Sequence, residues 1–329
     1  MAAAFNKAFV CKDRCVRFCT EGGIETRVSS QEHKSQEIQE VRRMCHVLII
    51  TVDHQSAELT ARMTENLKRI KGQSDLSLVI VRNGSSSGTA GSTRVPCESS
   101  DHVWIHESAA NRGYFGGARQ GLEWFQEAQG DLPPWIIVCN NDIRIEQADF
   151  FDRLGQLDPN GVGVIAPKII SCRTGLNQNP FMVRRPGRWR VGELRFWLKS
   201  YYLAFVHEKM SAWKKTGVRL KQRFFPRTSE GAGLEPTAIY APHGSFLIFS
   251  KQFFGRGGFL DDRIFLYHEE ISVAEICRKM GLPIVHCPEL RVLHDEHSTT
   301  GRRFTRSIYE CQRQAFQHLS ENYLADLVR

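Results

Sequence analysis

From Met44 onward, short apolar runs alternate with longer stretches that are apolar on one side only. Val47–Thr51, Leu76–Val81, Val103–Ile105, Trp135–Val138 and Val164–Ile170 have the length and apolar character of buried strands. Between them, about Ala57–Ile70 and about Gly116–Gln129 carry the 3.6-residue period of amphipathic helices. Strands separated by helices of this length predict right-handed βαβ units, hence an α/β fold with a mainly parallel central sheet flanked by helices. Ligands of such sheets gather at the carboxyl ends of the strands. That rule points to Asp53, Asn83-Gly84-Ser85, the loop Asn111–Gly117 and Asn140–Asp142.

The pattern breaks after Ile170 and resumes at Gly244-Ser245-Phe246-Leu247-Ile248-Phe249. Inside the break, Leu194, Leu198, Tyr201 and Phe205 recur at i, i+4, i+7 and i+11, with Trp189, Trp197, Tyr202 and Trp213 nearby, which predicts an amphipathic helix with interfacial aromatics. Charge changes the picture here. Residues 183–227 hold thirteen Lys and Arg against Glu193 and Glu208, a local balance of +11 within a chain whose net charge is +8. Such a segment is drawn to anionic lipid headgroups. A nucleic-acid surface would carry similar charge, and a helix packed on its own domain is a third reading; the apolar stripe favours the membrane. No run of 18 apolar residues occurs, so contact with a bilayer is expected to be peripheral.

With 329 residues and 41% hydrophobic content the chain can bury a large core. Its ten cysteines are unevenly spaced and read as buried thiols of a reducing compartment. Residues 1–43 show no sustained period and read as a flexible extension; Cys11, Cys15 and Cys19 fall at helical spacing but lack a fourth ligand.

Three segments carry candidate chemistry. An apolar strand ending in Asn140-Asn141-Asp142 either makes a turn or offers hard oxygen ligands to Mg²⁺ or Mn²⁺ on a diphosphate. The glycines between Asn111 and Gly121, just before a helix, either expose backbone amides to an anion or let helix and strand pack closely. Glu269-Glu270 at a predicted helix start are either first-turn acids or a general base. His286, Cys287, His294 and His297 make a poor zinc set, because His286 and Cys287 point to opposite faces of one strand; His294, at the strand end, fits better as a single ligand or phosphate contact.

In this order and spacing the segments resemble glycosyltransferase family 2, especially its rhamnosyltransferase-like members of bacterial surface polysaccharide synthesis. The resemblance covers about residues 44–298. It rests on Thr51-Val52-Asp53, Arg82-Asn83-Gly84-Ser85, Asn111–Gly117, Asn140–Asp142, the Gly244 run, the stretch Gly257–Tyr267 with the acidic pair, and His294. It implies a GT-A fold, with a nucleotide-sugar-binding half over 44–182, the basic insert at 183–227, and an acceptor-binding half with a C-terminal helix over 228–329. The donor would be bound by Thr51, Asp53, Arg82, Asn83, Asn111, Gly113, Gly117, Asn141 and Asp142, and the acceptor by Gly244 and Tyr267. Asp142 and His294 would meet Mg²⁺ or Mn²⁺, and Glu270, with Glu269 as runner-up, would be the base of an inverting transfer. The resemblance further implies a donor such as dTDP-rhamnose, a glycan or lipid-linked acceptor, and a cytoplasmic location on the inner membrane face. Two departures stand out. Arg82 replaces the family's usual Asp, and Glu269-Glu270-Ile271-Ser272 replaces Glu-Asp-x-Asp. They leave open a non-catalytic relative that binds a nucleotide or a membrane.

Overall fold

A computed structural model describes residues 46–70, 72, 74–84, 91–94, 102–211, 235–296 and 304–328. The N-terminal extension, Ser85, Trp213 and the rest of the basic segment after residue 211, and His297 lie outside the described residues.

Strand β1 (His46–Asp53) is followed by helix α1 (Ala57–Ile70), β2 (Asp75–Asn83), β3 (Gly91–Arg94), β4 (His102–Ser108), α2 (Gly113–Gln129) and β5 (Trp135–Cys139). Next come β6 (Ile143–Arg144), α3 (Phe150–Gln156) and β7 (Val164–Ser171), then the insert with α4 (Arg188–Trp197) and α5 (201–211). The chain closes with β8 (Thr237–Ile239), β9 (Phe246–Ser250), α6 (Lys251–Gly255), α7 (Glu269–Met280), β10 (Ile284–His294), α8 (Arg306–Asn322) and α9 (Ala325–Val328). One sheet runs in the order β3-β4-β2-β1-β5-β9-β7-β10-β6, with β8 on β10.

The parallel part is the one the βαβ pattern predicts, β4-β2-β1-β5. Beyond it the sheet is mixed: β9 enters antiparallel between β5 and β7, and β10 pairs antiparallel with both β6 and β8. The expectation of a mainly parallel sheet therefore holds for the first half, whereas five of the nine pairings between described strands are antiparallel. The reason is connectivity, since β9 arrives after the long insert rather than through a crossover helix. Within β10, Pro288 has no N–H to give the ladder, and the register against β7 shifts between Cys287 and Arg291.

Alternation along the strands divides the core. Leu48 and Ile50 face the layer of α2, α7 and α8, whereas Val47 and Ile49 face α1 and α3. Thr51 and Asp53 continue the second set, so both point to the α1 side at the carboxyl edge.

Helix α2 begins at Gly113, three residues earlier than its period suggests, and packs very closely. A Cβ on Gly121 would lie 2.7 Å from Val81 Cγ2, and one on Gly117 would lie 3.0 Å from Val52 Cγ1. Gly113 has φ +73°, and a Cβ there would come 1.8 Å from Phe265 O. Gly113→Ala is expected to cost about 3 kcal/mol or more, from left-handed strain plus the backbone clash. Urea unfolding measures this; a loss under about 1 kcal/mol would contradict the close approach.

Candidate active site

The carboxyl edge of β1, β2 and β5 is braced before it presents any chemistry. Asp53 Oδ1 accepts from both the N–H and the Oγ of Ser56, at 2.9 Å each, just ahead of α1. Asn141 Nδ2 donates to Ser56 Oγ (2.7 Å) and Thr60 Oγ1 (2.9 Å), which ties the end of β5 to the first turn of α1. Asn83 Nδ2 donates to Asn111 Oδ1 (2.9 Å) and Gly113 O (2.8 Å), and its Oδ1 accepts the Arg112 N–H (2.9 Å). The Gly113 N–H goes to Asn111 Oδ1 and the Tyr114 N–H to Phe265 O, both at 3.0 Å. The first amides of α2 are thus spent on the protein itself. The glycine-rich stretch acts as a packed latch between β2 and the 261–268 loop; of the two readings open for it, close packing is the one the geometry carries. Arg82 pairs with Glu107 across β2 and β4 at 2.9 Å.

Asp142, next to braced Asn141, is 7% exposed, and its Oδ1 has no hydrogen-bond partner. It lies 3.3 Å from Nε2 of His294, on the neighbouring end of β10. The ring is oriented by a relay. Gln178 Nε2 donates to Glu296 Oε1 (2.6 Å), which turns the amide oxygen toward His294 Nδ1 at 2.8 Å. An amide oxygen only accepts, so Nδ1 carries a proton, and Nε2 faces the carboxylate as a lone pair in the neutral ring or as a donor in the imidazolium. A lone pair facing an anion calls for a proton or a metal ion, and the two protein atoms lie near the roughly 3 Å separation of adjacent ligands on a hard divalent cation. The buried, unpartnered oxygen and the oriented imidazole therefore fit Mg²⁺ or Mn²⁺. Gln178 and Glu296 supply the outer support that metal-bound histidines use. Among the described residues no group of three or more His, Cys, Asp or Glu is placed to hold a metal, so the remaining positions would fall to substrate oxygens and water. Cys287 and His286 do not join this pair.

The acidic pair opens α7 after an uncommon turn, with Tyr267 at φ +73° and His268 at φ +67°. Two successive left-handed residues with side chains cost energy, and they set the direction in which α7 starts. Glu269 and Glu270 are both buried, 5% and 8% exposed, and Glu269 Oε1 has no hydrogen-bond partner. Burial raises both carboxyl pKa values, and for Glu269 the neighbouring Glu270 adds to the shift. A side chain on Gly244 would start 3.4 Å from Glu270 Oε2, so the carboxylate lies over that glycine. Tyr114 links the two centres: its hydroxyl donates to Gly244 O at 3.2 Å, and its pKa is pushed well up by burial and by Cys139, Glu269 and Asp142.

The raised Glu269 gives a stability prediction. A carboxyl whose pKa is higher folded than unfolded binds more protons in the folded state, so stability falls as pH rises from the unfolded value toward the folded one. Glu269→Gln is expected to melt several degrees above the unchanged protein at pH 8 and to lose that advantage near pH 5. Thermal melts at both pH values check it; an equal or lower melting point at pH 8 contradicts the burial of an acid whose Oε1 has no partner.

Several of these residues escape sequence reasoning. Tyr114 lies inside a motif whose glycines dominate its signal. Gln178 and Glu296 carry no local signal, being distant in the chain from each other. His243 borders the site, its ring 5.8 Å from that of His294, and its Nδ1 accepts the Ser245 N–H at 3.3 Å. Burial, with His294 adding, pushes its pKa down to about 4, so the ring is neutral.

In the insert the helix breaks at 198–200. The stripe expected to face a membrane is largely turned inward: Leu194 and Leu198 pack on the core, and Tyr201 stacks on Phe304 (5.9 Å) and meets Tyr309 edge-on.

No family profile matches the chain. It is 25% identical over 243 residues to N-acetylglucosaminyl-diphospho-decaprenol L-rhamnosyltransferase of Mycobacterium tuberculosis, covering 69% of each protein. It is 23% identical over 249 residues to the low-salt glycan biosynthesis hexosyltransferase Agl10 of Haloferax volcanii, covering 75% of this chain and 66% of that one. Among solved structures, GalNAc-T7 with UDP, GalNAc and Mn²⁺ superposes over 86% of this chain with a TM-score of 0.52 at 10% identity, and the chain spans 50% of that protein's length. The fold and the curated relatives define the class: a glycosyltransferase of GT-A architecture. Within that class the chain is similar to the rhamnosyltransferase-like enzymes of family 2.

Proposed function

We propose that the chain is an inverting, metal-assisted transferase that moves a sugar from a nucleoside diphosphate to a glycan or lipid-linked glycan. Rhamnose from dTDP-rhamnose is the first donor to test, a choice supported by the name of the mycobacterial relative. The observation that carries the reading is the convergence of the two buried acids of α7 on the strand end of Asp142 and His294, through Tyr114 and Gly244.

The nucleotide lies over the carboxyl edge, against Thr51, Asp53 and the Arg82–Glu107 pair. Thr51 Oγ1 is buried without a hydrogen-bond partner at this edge. Asn83, Asn111, Gly113 and Asn141 hold the shape of this edge through the bonds described above, and Gly117 through its close packing on Val52. Asp142 and His294 would hold Mg²⁺ or Mn²⁺, which supplies positive charge to the diphosphate as its bond to the sugar breaks. The acceptor enters beside Gly244 and Tyr267. Glu270 takes the proton of the acceptor hydroxyl as its oxygen bonds to the anomeric carbon from the face opposite the leaving diphosphate. A carboxyl whose pKa burial raises above the ordinary carboxylate range is suited to that task, because its ionised form is a stronger base than a free carboxylate.

A panel of thymidine, uridine and guanosine diphosphate sugars, incubated with Mn²⁺ or Mg²⁺ and a polyprenyl-linked acceptor, tests the proposal. Transfer from at least one donor with inverted anomeric configuration, read by NMR of the product, supports it. Retained configuration would overturn the single-displacement reading.

A further inference from the structure

The structure places a second aromatic and basic surface on the outside of the insert, and we propose that this outward face of α4 and α5 docks on an anionic lipid bilayer. The inference deepens the reading of a lipid-linked acceptor and rests on it. Of the stripe that sequence periodicity selected, Leu194, Leu198 and Tyr201 pack inward and Phe205 stays on this outward face.

Trp189 is 94% exposed and Phe196, one face-repeat along α4, is 49% exposed. On α5, Tyr202 is 80% exposed, and Phe205, Val206 and Met210 follow at helical spacing, at 37%, 48% and 43%. Large apolar side chains so exposed, at helical spacing on two consecutive helices, mark a contact surface rather than ordinary solvent-facing positions. The cations are interleaved with them: Lys199 Nζ lies 5.8 Å from the Phe196 ring centre and Lys209 Nζ 5.1 Å from that of Phe205. Arg184, Arg188, Arg190 and Arg195 are exposed on the same segment, and of these Arg190 is paired, with Glu193. Arg185 belongs instead to the protein interior, held by Glu275 and Asp326.

The charge selects the occupant. The chain's own segment 212–227 adds Lys214, Lys215, Arg219, Lys221, Arg223 and Arg227 and no acid, so it would repel this face rather than cover it. A second copy of the same face would be repelled likewise. An anionic interface satisfies both parts of the pattern: headgroups meet the cations, while Trp and Tyr settle at the boundary where a ring is half in hydrocarbon and half in water. Each basic residue near such a surface contributes about fivefold in partitioning, screened by salt.

The test is co-sedimentation of the full chain with vesicles of phosphatidylcholine containing phosphatidylglycerol, against pure phosphatidylcholine, without donor or metal. Binding is expected for the anionic vesicles and should fall as salt is raised. Trp189→Ala with Tyr202→Ala is expected to weaken partitioning about tenfold or more at an unchanged melting temperature, since both rings stand in solvent. A Lys199→Glu, Lys209→Glu variant is expected to lose the preference for anionic lipid. Equal binding by the aromatic variant and the unchanged protein would overturn the proposal. So would binding that nuclease treatment removes, or a salt-resistant dimer in light scattering that the aromatic variant abolishes. Because no sugar transfer is measured, failure of the transferase reading leaves this result standing. Loss of vesicle binding would leave transfer to a soluble acceptor intact.

Discussion

Asp142→Ala is expected to lower the transfer rate by about 10³-fold or more while leaving the melting temperature unchanged or raised. Both halves follow from the same atom. Oδ1 of Asp142 is buried and unpartnered at 3.3 Å from His294 Nε2. In the free protein Oδ1 is buried without a hydrogen bond, so removing it relieves that part of the desolvation cost. In the loaded protein it is the anion placed where a diphosphate and its cation must be held together. Mn²⁺ titration followed by electron paramagnetic resonance, without donor, provides a readout independent of turnover. The unchanged protein should bind the ion, and Asp142→Ala and His294→Ala should each bind it at least tenfold more weakly. Full transfer activity in Asp142→Ala, or Mn²⁺ affinity equal to that of the unchanged protein, would remove this residue from the site.

Glu270→Gln carries the second large effect, an expected loss of about 10²- to 10⁴-fold in kcat with a much smaller change in the donor KM. The amide keeps the size of the carboxyl and its place over Gly244 but cannot take a proton. The pH profile gives the sign. Burial lifts the Glu270 carboxyl to about 7, the ionised form is the base, and kcat/KM should therefore rise with pH through about 7 and level off above it. In Glu270→Gln the residual activity should lose that rise. Glu269→Gln is the control, since the adjacent acid is also raised and buried; it should retain transfer within about tenfold. If Glu269→Gln fell further than Glu270→Gln, the base would be Glu269.

Much of the framework could be read from the sequence because it depends on local periodicity. The runs Val47–Thr51, Leu76–Val81 and Trp135–Val138 could bury both faces only inside a sheet, and the helices after β1 and β4 made a parallel sheet the expectation, while the order β4-β2-β1-β5 came from the structure. The far half was less legible. Nothing local shows that β9 will insert antiparallel between β5 and β7, because the intervening insert removes the handedness rule that governs short crossovers. The insert was legible by half: its period located a helix, but period alone does not say which face meets the protein. Leu194, Leu198 and Tyr201 met it, and the exposed rings of Trp189 and Tyr202 stayed outside.

By itself the sequence determined the strand-end segments Asn83–Gly84, Asn111–Gly117, Asn140–Asp142 and Glu269-Glu270, because strand edges and helix starts are set by near neighbours. Only the tertiary structure decided their roles. It spent the amides of the glycine-rich loop on Asn83, Asn111 and Phe265, made Asn141 a brace on Ser56 and Thr60, and left Asp142 Oδ1 without a hydrogen bond. It set His294 opposite that oxygen through Gln178 and Glu296, residues separated from one another by 118 positions. The physical reason is that orientation, burial and the pairing of polar atoms depend on which distant segments the sheet brings to one edge, and no period in the chain encodes that meeting.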